Sequence, residues 1–170
     1  MKLLVCAALL AARAASADDG MRVGVAPGAT VSFANAHSVT GYGGELWAGY
    51  EILRGRIGIT PFGELAFYDF PHDPSSQLLL AMPAVKLGYH AGAWIPAARL
   101  GLGYARSWTA STTPSIRVSY VALSIGAELA HQVTDWLAIG IDFDYRPLVP
   151  TSVPTTDTFI TFGASATVTL

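Results

Sequence analysis

The sequence predicts an all-β chain: eight antiparallel strands in an up-and-down meander, closed into a transmembrane β-barrel. Three observations carry that expectation. Eight segments alternate apolar residues with small or polar ones at a period of two, which sorts each segment onto the two faces of a strand. Apolar residues make up 52% of the 170 positions and charged ones only 13%, where an ordinary soluble domain carries roughly 25% charged residues. Yet no segment of the predicted barrel approaches the ~18 apolar residues that mark a membrane helix. The longest candidate, YVALSIGAELA, is broken by Gly126 and Glu128.

The first stretch, MKLLVCAALLAARAASADDG, reads as an export signal. Lys2 gives it a positive start, Leu3 to Ala12 an apolar run too short to span a bilayer, and Ala15-Ser16-Ala17 a small-residue cleavage site. Residues 1–17 are therefore expected to be removed, leaving 18–170 as one barrel domain. Cys6, the only cysteine, leaves with them, so neither disulfides nor thiolate metal sites are available. Lys2 and Arg13 leave too, and the 10 basic residues fall to 8 against 12 acidic ones. That excess of acid argues against nucleic acid as a partner.

The strands follow in order. MRVGVAPGATVSF sets Val23, Val25, Val31 and Phe33 against Arg22, Gly24, Ala26, Gly28, Thr30 and Ser32. GYGGELWAGYEI sets Tyr42, Leu46, Ala48, Tyr50 and Ile52 against Gly43, Glu45, Trp47, Gly49 and Glu51. RIGITPFGELAFY sets Ile57, Ile59, Leu65 and Phe67 against Gly58, Thr60, Phe62, Glu64 and Ala66. VKLGYH and RLGLGYA repeat the theme, with Lys86 and Arg99 on the small-residue face. SYVALSIGAELA opposes Val121, Leu123, Ile125 and Leu129 to Ser124, Gly126 and Glu128. WLAIGIDFDY opposes Leu137, Ile139, Ile141, Phe143 and Tyr145 to Trp136, Gly140, Asp142 and Asp144. TFITFGASATVTL closes the series, with Ile160, Phe162 and Val168 on one face.

The connections alternate in character. Arg54-Gly55, His90 to Ala93 and Gln132 to Thr134 are tight. Ala34 to Val39, Asp69 to Ser76, Trp108 to Pro114 and Pro147 to Thr158 are longer and rich in turn residues. Short and long connections taking turns give a meander with two unlike ends.

The second face decides the solvent. A soluble sheet needs Lys, Glu, Thr and Asn there, whereas this face is mostly Gly, Ala, Ser and Thr with isolated charges. Such residues suit the cramped interior of an eight-stranded barrel. The apolar face then meets lipid, as in barrels of the outer-membrane type. Aromatics fit two interfacial girdles: Phe33, Tyr42, Phe67, Tyr104, Phe143 and Tyr145 at the long-loop end, Tyr50, Tyr89 and Trp94 at the short-turn end.

In this pattern the chain resembles the small eight-stranded outer-membrane barrels of the OmpA transmembrane-domain and OmpX type. The resemblance covers the whole region after the export signal and rests on alternation, not on a diagnostic motif. It implies a Gram-negative-type outer membrane, short turns toward the periplasm and long loops outside. It also implies outer-membrane lipids, lipopolysaccharide and the outer-membrane assembly machinery as partners, and a monomer. Two departures stand out. Leu170 occupies a place that is usually aromatic in that group, and Pro27, Pro61, Pro83 and Pro96 fall inside strands, where bulges are expected.

The inward charges form the candidate site: Arg22, Glu45, Glu64, Lys86, Arg99, Glu128, Asp142 and Asp144. With Arg54-Gly55 as a two-residue loop, Glu45 should face Glu64, and a turn near Gly92 sets Lys86 opposite Arg99. Acidic and basic pairs are expected to meet across the lumen, because buried charge without partners is too costly. The reading is a non-enzymatic barrel with a plugged polar interior and a structural or adhesive role, without catalytic residues, cofactor or metal. A narrow gated pore or a lipid-modifying enzyme is the alternative, and a soluble periplasmic lipocalin-like barrel the third. Ala36-His37-Ser38 and His72-Asp73-Pro74-Ser75 lie in loops on the same predicted end and carry residue types that hydrolysis or a metal would need.

Overall fold

The computed structural model describes residues 19–34, 37–71, 75–109, 116–151 and 157–170. The expected export signal at residues 1–17 and His72-Asp73-Pro74 lie outside them, and His37 opens a strand. Eight strands run as β1 (Gly20–Ala34), β2 (His37–Arg54), β3 (Ile57–Phe70), β4 (Ser76–Tyr89), β5 (Trp94–Thr109), β6 (Ile116–Thr134), β7 (Leu137–Pro150) and β8 (Asp157–Thr169). Each pairs antiparallel with the next, and β8 pairs with β1 to close the barrel. Closure satisfies the backbone groups that an open edge would leave bare in lipid.

The first and third tight turns lie beside their expected places, and the second lies where it was expected. Arg54 pairs with Ile57, so the first loop is Gly55-Arg56 rather than Arg54-Gly55. Gly55 takes the leading loop position with φ 64°, a backbone conformation nearly free of cost only for glycine. The register therefore moves by two: Glu45 faces Ala66, and Glu64 faces Trp47. The second turn follows the same rule, with Gly92 at φ 66° between the bridged Ala91 and Trp94, and here Lys86 does face Arg99. The third turn is Asp135-Trp136, not Gln132 to Thr134. Thr134 Oγ1 accepts the Leu137 amide at 3.0 Å and fixes that corner. Trp136 consequently lies in the turn, 40% exposed, instead of pointing inward.

The prolines need no bulges. Pairing with one neighbour lapses at Ala26-Pro27, Thr60-Pro61 and Met82-Pro83, and resumes in the same register beyond. Pro96 sits just past the last β4–β5 pair. Each proline thus falls where one ladder makes no demand on its missing N–H. The single register shift in the described strand pairs is between Gln132 and Thr134, on β6.

Orientation is unambiguous. Leu100 (59%), Ile141 (65%) and Phe162 (56%) stand exposed on the outer wall, while Glu45 (4%), Asp144 (0%) and Arg146 (1%) are enclosed. A soluble lipocalin-like barrel would show the reverse. The expected girdle aromatics all project outward. On β5, Trp94 and Tyr104 bound an apolar run of the outer wall. Ten residues at about 3.3 Å each, tilted by about 40°, span about 25 Å, the height of an outer-membrane apolar band.

The lumen is more layered than alternation alone suggested. Its loop-end third is a dry cluster of Tyr68, Phe70, Leu78, Leu80, Met82, Tyr120, Leu148 and Phe159 with small neighbours. Charged groups fill the middle. Glycines make room for the larger side chains: a Cβ on Gly24 would run into the Trp47 indole directly across the β1–β2 pair, and one on Gly43 into Tyr68.

Candidate functional site: the lumenal ion layer

Two guanidinium groups organise the middle of the barrel. Arg99, from β5, bonds Asp142 at 3.1 Å and also Asp144, and lies 3.5 Å from Glu45. Arg146, from β7, sends one nitrogen to both Glu45 and Glu64 at 2.7 Å and lies 3.6 Å from Asp144. Its other terminal nitrogen donates to the Tyr68 hydroxyl at 2.7 Å, and that hydroxyl donates to Glu45 at 2.6 Å. The ion layer is thereby tied to the apolar cluster above it. Ser124 donates to Asp144 at 3.1 Å from the neighbouring strand.

Toward the tight-turn end, Lys86 reaches Glu128 at 3.3 Å and covers the Trp47 ring at 4.2 Å from its centre. Ser165 donates to the second oxygen of Glu128 at 3.2 Å. Arg22 bonds Glu51, whose other oxygen meets His90 at 3.2 Å, and Arg22 also bonds Thr169. Between these two groups is a cavity of about 30 Å³ with charged groups (Arg22, Glu51, Lys86 and Glu128) on an otherwise largely apolar lining that includes Ile95 and Ala130. That is the scale of one or two water molecules.

All eight charges expected inside therefore line the lumen, in two groups. Glu45, Glu64, Lys86, Arg99, Glu128, Asp142 and Asp144 form the middle layer with Arg146, while Arg22 joins the group at the turn end. Two central members are absent from the sequence reading. Arg146 lies one residue beyond the seventh alternating segment, WLAIGIDFDY, which ends at Tyr145 ahead of Pro147; its parity with Asp142 and Asp144 is the available signal. Tyr68 ends the segment RIGITPFGELAFY and shares the parity of Phe62, Glu64 and Ala66, which is the signal that places it inside.

The carboxylates of Glu45, Asp142 and Asp144 come within 4.8 Å of one another, the spacing of a cation site. Arg99 occupies that position itself, bonding two of the three. Glu45 Oε2 and Asp142 Oδ1 are buried without a hydrogen-bond donor among the described residues. Five carboxylates share this layer with three cations, and that imbalance ties the layer tightly to its two arginines.

Comparison with protein-family models and with curated proteins finds no match. Solved structures do match. The crystal structure of Neisserial surface protein A covers 89% of this chain and 97% of its own, at 14% identity and a TM-score of 0.70. Ail, the attachment invasion locus protein of Yersinia pestis, covers 88% and 99% at 14% identity and a TM-score of 0.63. The outer membrane enzyme PagL covers 84% and 97% at 13% identity and a TM-score of 0.54. The fold is that of a small outer-membrane barrel. It is a fold shared by surface proteins and by at least one enzyme.

Proposed function

We propose that the chain resides in the outer membrane as a monomeric barrel with a filled lumen, and that its role is structural or adhesive, exercised at the loop end. One observation carries this reading: the lumen is closed twice in series. The apolar cluster from Tyr68 to Phe159 blocks the loop end, and the Arg99 and Arg146 networks block the middle. What remains to meet partners is the outer wall, in contact with lipid and lipopolysaccharide, and the rim of the loop end. Two barrels of the same fold are named a surface protein and an attachment invasion locus protein, which supports the reading. Delivery would depend on the outer-membrane assembly machinery, as for any chain that must close in that membrane.

The test pairs a heat-modifiability gel with planar-bilayer recording. The folded protein should co-fractionate with membranes, migrate differently before and after boiling, and pass no stepwise current. Lys86→Ala should leave the bilayer silent. Stepwise conductance that changes in Lys86→Ala would support a narrow pore instead. The competing enzymatic reading, suggested by the fold shared with PagL, requires a change in the mass of lipid A on expression that is lost in His37→Ala.

A further inference from the structure

Eight basic side chains lie among the described residues, and six have partners inside the protein. Arg22, Lys86, Arg99 and Arg146 pair with lumenal carboxylates. Arg54 reaches Asp19 at 3.5 Å, and Arg56 lies 3.5 Å from the Tyr89 hydroxyl. Arg106 and Arg117 differ. Both are exposed, and neither makes an ion pair with a described residue.

Their positions are not scattered. Arg106 pairs with Ser119, and Arg117 with Trp108, so the two arginines are diagonal neighbours on the outer wall of the β5–β6 pair. Diagonal residues of one face stand about 7–8 Å apart, within reach of one ligand for side chains this long. Two like charges so placed repel each other, and a shared anion relieves that repulsion. The surrounding wall turns polar at this point. The Tyr104 hydroxyl donates to Ser119 Oγ at 2.5 Å, and the Trp108 indole donates to Gln77 at 2.6 Å. The latter bond directs Trp108 toward β4 and away from Arg117. Arg106 follows immediately on the about 25 Å apolar run that Trp94 and Tyr104 bound. It therefore stands at headgroup height, where fixed cations meet phosphate and not hydrocarbon.

We infer that Arg106 and Arg117 form a binding site on the outer wall for a phosphomonoester headgroup of a lipid in the leaflet at the loop end. Guanidinium groups suit that ligand, because their planar donors match phosphate oxygens in pairs. Tyr104, two residues nearer the midplane than Arg106, supplies apolar surface for the same molecule below the headgroup. The inference rests on the membrane reading above and adds to it a residue-level address.

Detergent-solubilised, folded barrel is titrated with bisphosphorylated lipid A, with its dephosphorylated form, and with inorganic phosphate, and bound copies are counted by native mass spectrometry. Bisphosphorylated lipid should bind and the dephosphorylated form should bind roughly tenfold more weakly, the factor expected when charge-assisted hydrogen bonds are lost at an exposed site. Arg106→Gln/Arg117→Gln should weaken the first to the level of the second, and Arg54→Gln/Arg56→Gln should leave it unchanged. Inorganic phosphate alone should not be retained. Equal binding of the two lipids, loss of binding only in the Arg54/Arg56 variant, or retention of free phosphate to the same extent as lipid would each overturn the site. Membrane fractionation and gel mobility of every variant are read separately. A chain released without detergent would overturn the membrane reading and the site with it, while a membrane-bound, heat-modifiable double variant that keeps its lipid overturns the site alone.

Discussion

Arg146→Met should lower the stability of the folded barrel by roughly 3–5 kcal/mol, the cost of breaking a buried ionic network on one side. Arg146 is 1% exposed and contacts Glu45, Glu64, Asp144 and Tyr68. Its removal leaves Glu64 without its ion-pair partner, and Glu45 with Arg99 alone, 3.5 Å away. Methionine keeps much of the volume, so the loss reports charge and not a cavity. The check is a urea titration of the barrel in detergent or lipid, followed by gel mobility. Glu64→Gln in the same background should recover part of the loss, since it removes the orphaned charge. If the single variant unfolds at the same denaturant concentration as the parent, the arginine is not what balances the layer.

Leu100→Arg should cost about 2–4 kcal/mol in a bilayer, the depth-dependent cost of arginine on a lipid-facing wall near the midplane. Leu100 is 59% exposed and stands six residues from Trp94 and four from Tyr104 on the outer face of β5. Its immediate neighbour Arg99 is 5% exposed and sits inside with its carboxylates. One strand therefore accepts arginine on its inner face and should reject it one residue later. The effect is measured as the shift in denaturant midpoint for barrels folded into lipid vesicles. In a soluble protein the same change at an exposed leucine would be nearly silent. A shift of under half a kilocalorie, by order of magnitude, would mean that this face sees water.

The alternation that made the architecture legible is the period-two code itself. From Val121 to Leu129, and again from Leu137 to Tyr145, apolar residues alternate with small or acidic ones without a break, and the strands β6 and β7 follow. Legibility fails where both faces are apolar. In SQLLLAMP, Leu78, Leu80 and Met82 pack inside the lumen while Leu79 and Ala81 face outward, so the segment carries no alternation, and the dry loop-end cluster stayed hidden. Proline misled in two ways. Pro147 suggested that β7 had ended, which concealed Arg146, and the internal prolines suggested bulges that the gaps in the ladder make unnecessary. The charges themselves were readable by parity alone. Their partners were not, because a one-residue displacement of one turn moves the register by two and swaps Glu45 from Glu64 to Ala66, and because contacts across a lumen join strands that never pair.

The most direct test uses the fact that Cys6 is the only cysteine in the sequence. A single cysteine placed at Ile141 or Leu100 in the folded, vesicle-bound barrel can carry a nitroxide spin label, whose relaxation is then compared for dissolved oxygen and for a water-soluble nickel chelate. Oxygen concentrates in hydrocarbon and the chelate stays in water, so labels at both positions should respond strongly to oxygen and barely to nickel. Strong relaxation by nickel at Ile141 and Leu100 would mean that water bathes the leucine-and-isoleucine wall, and the barrel described here could not then be a membrane protein.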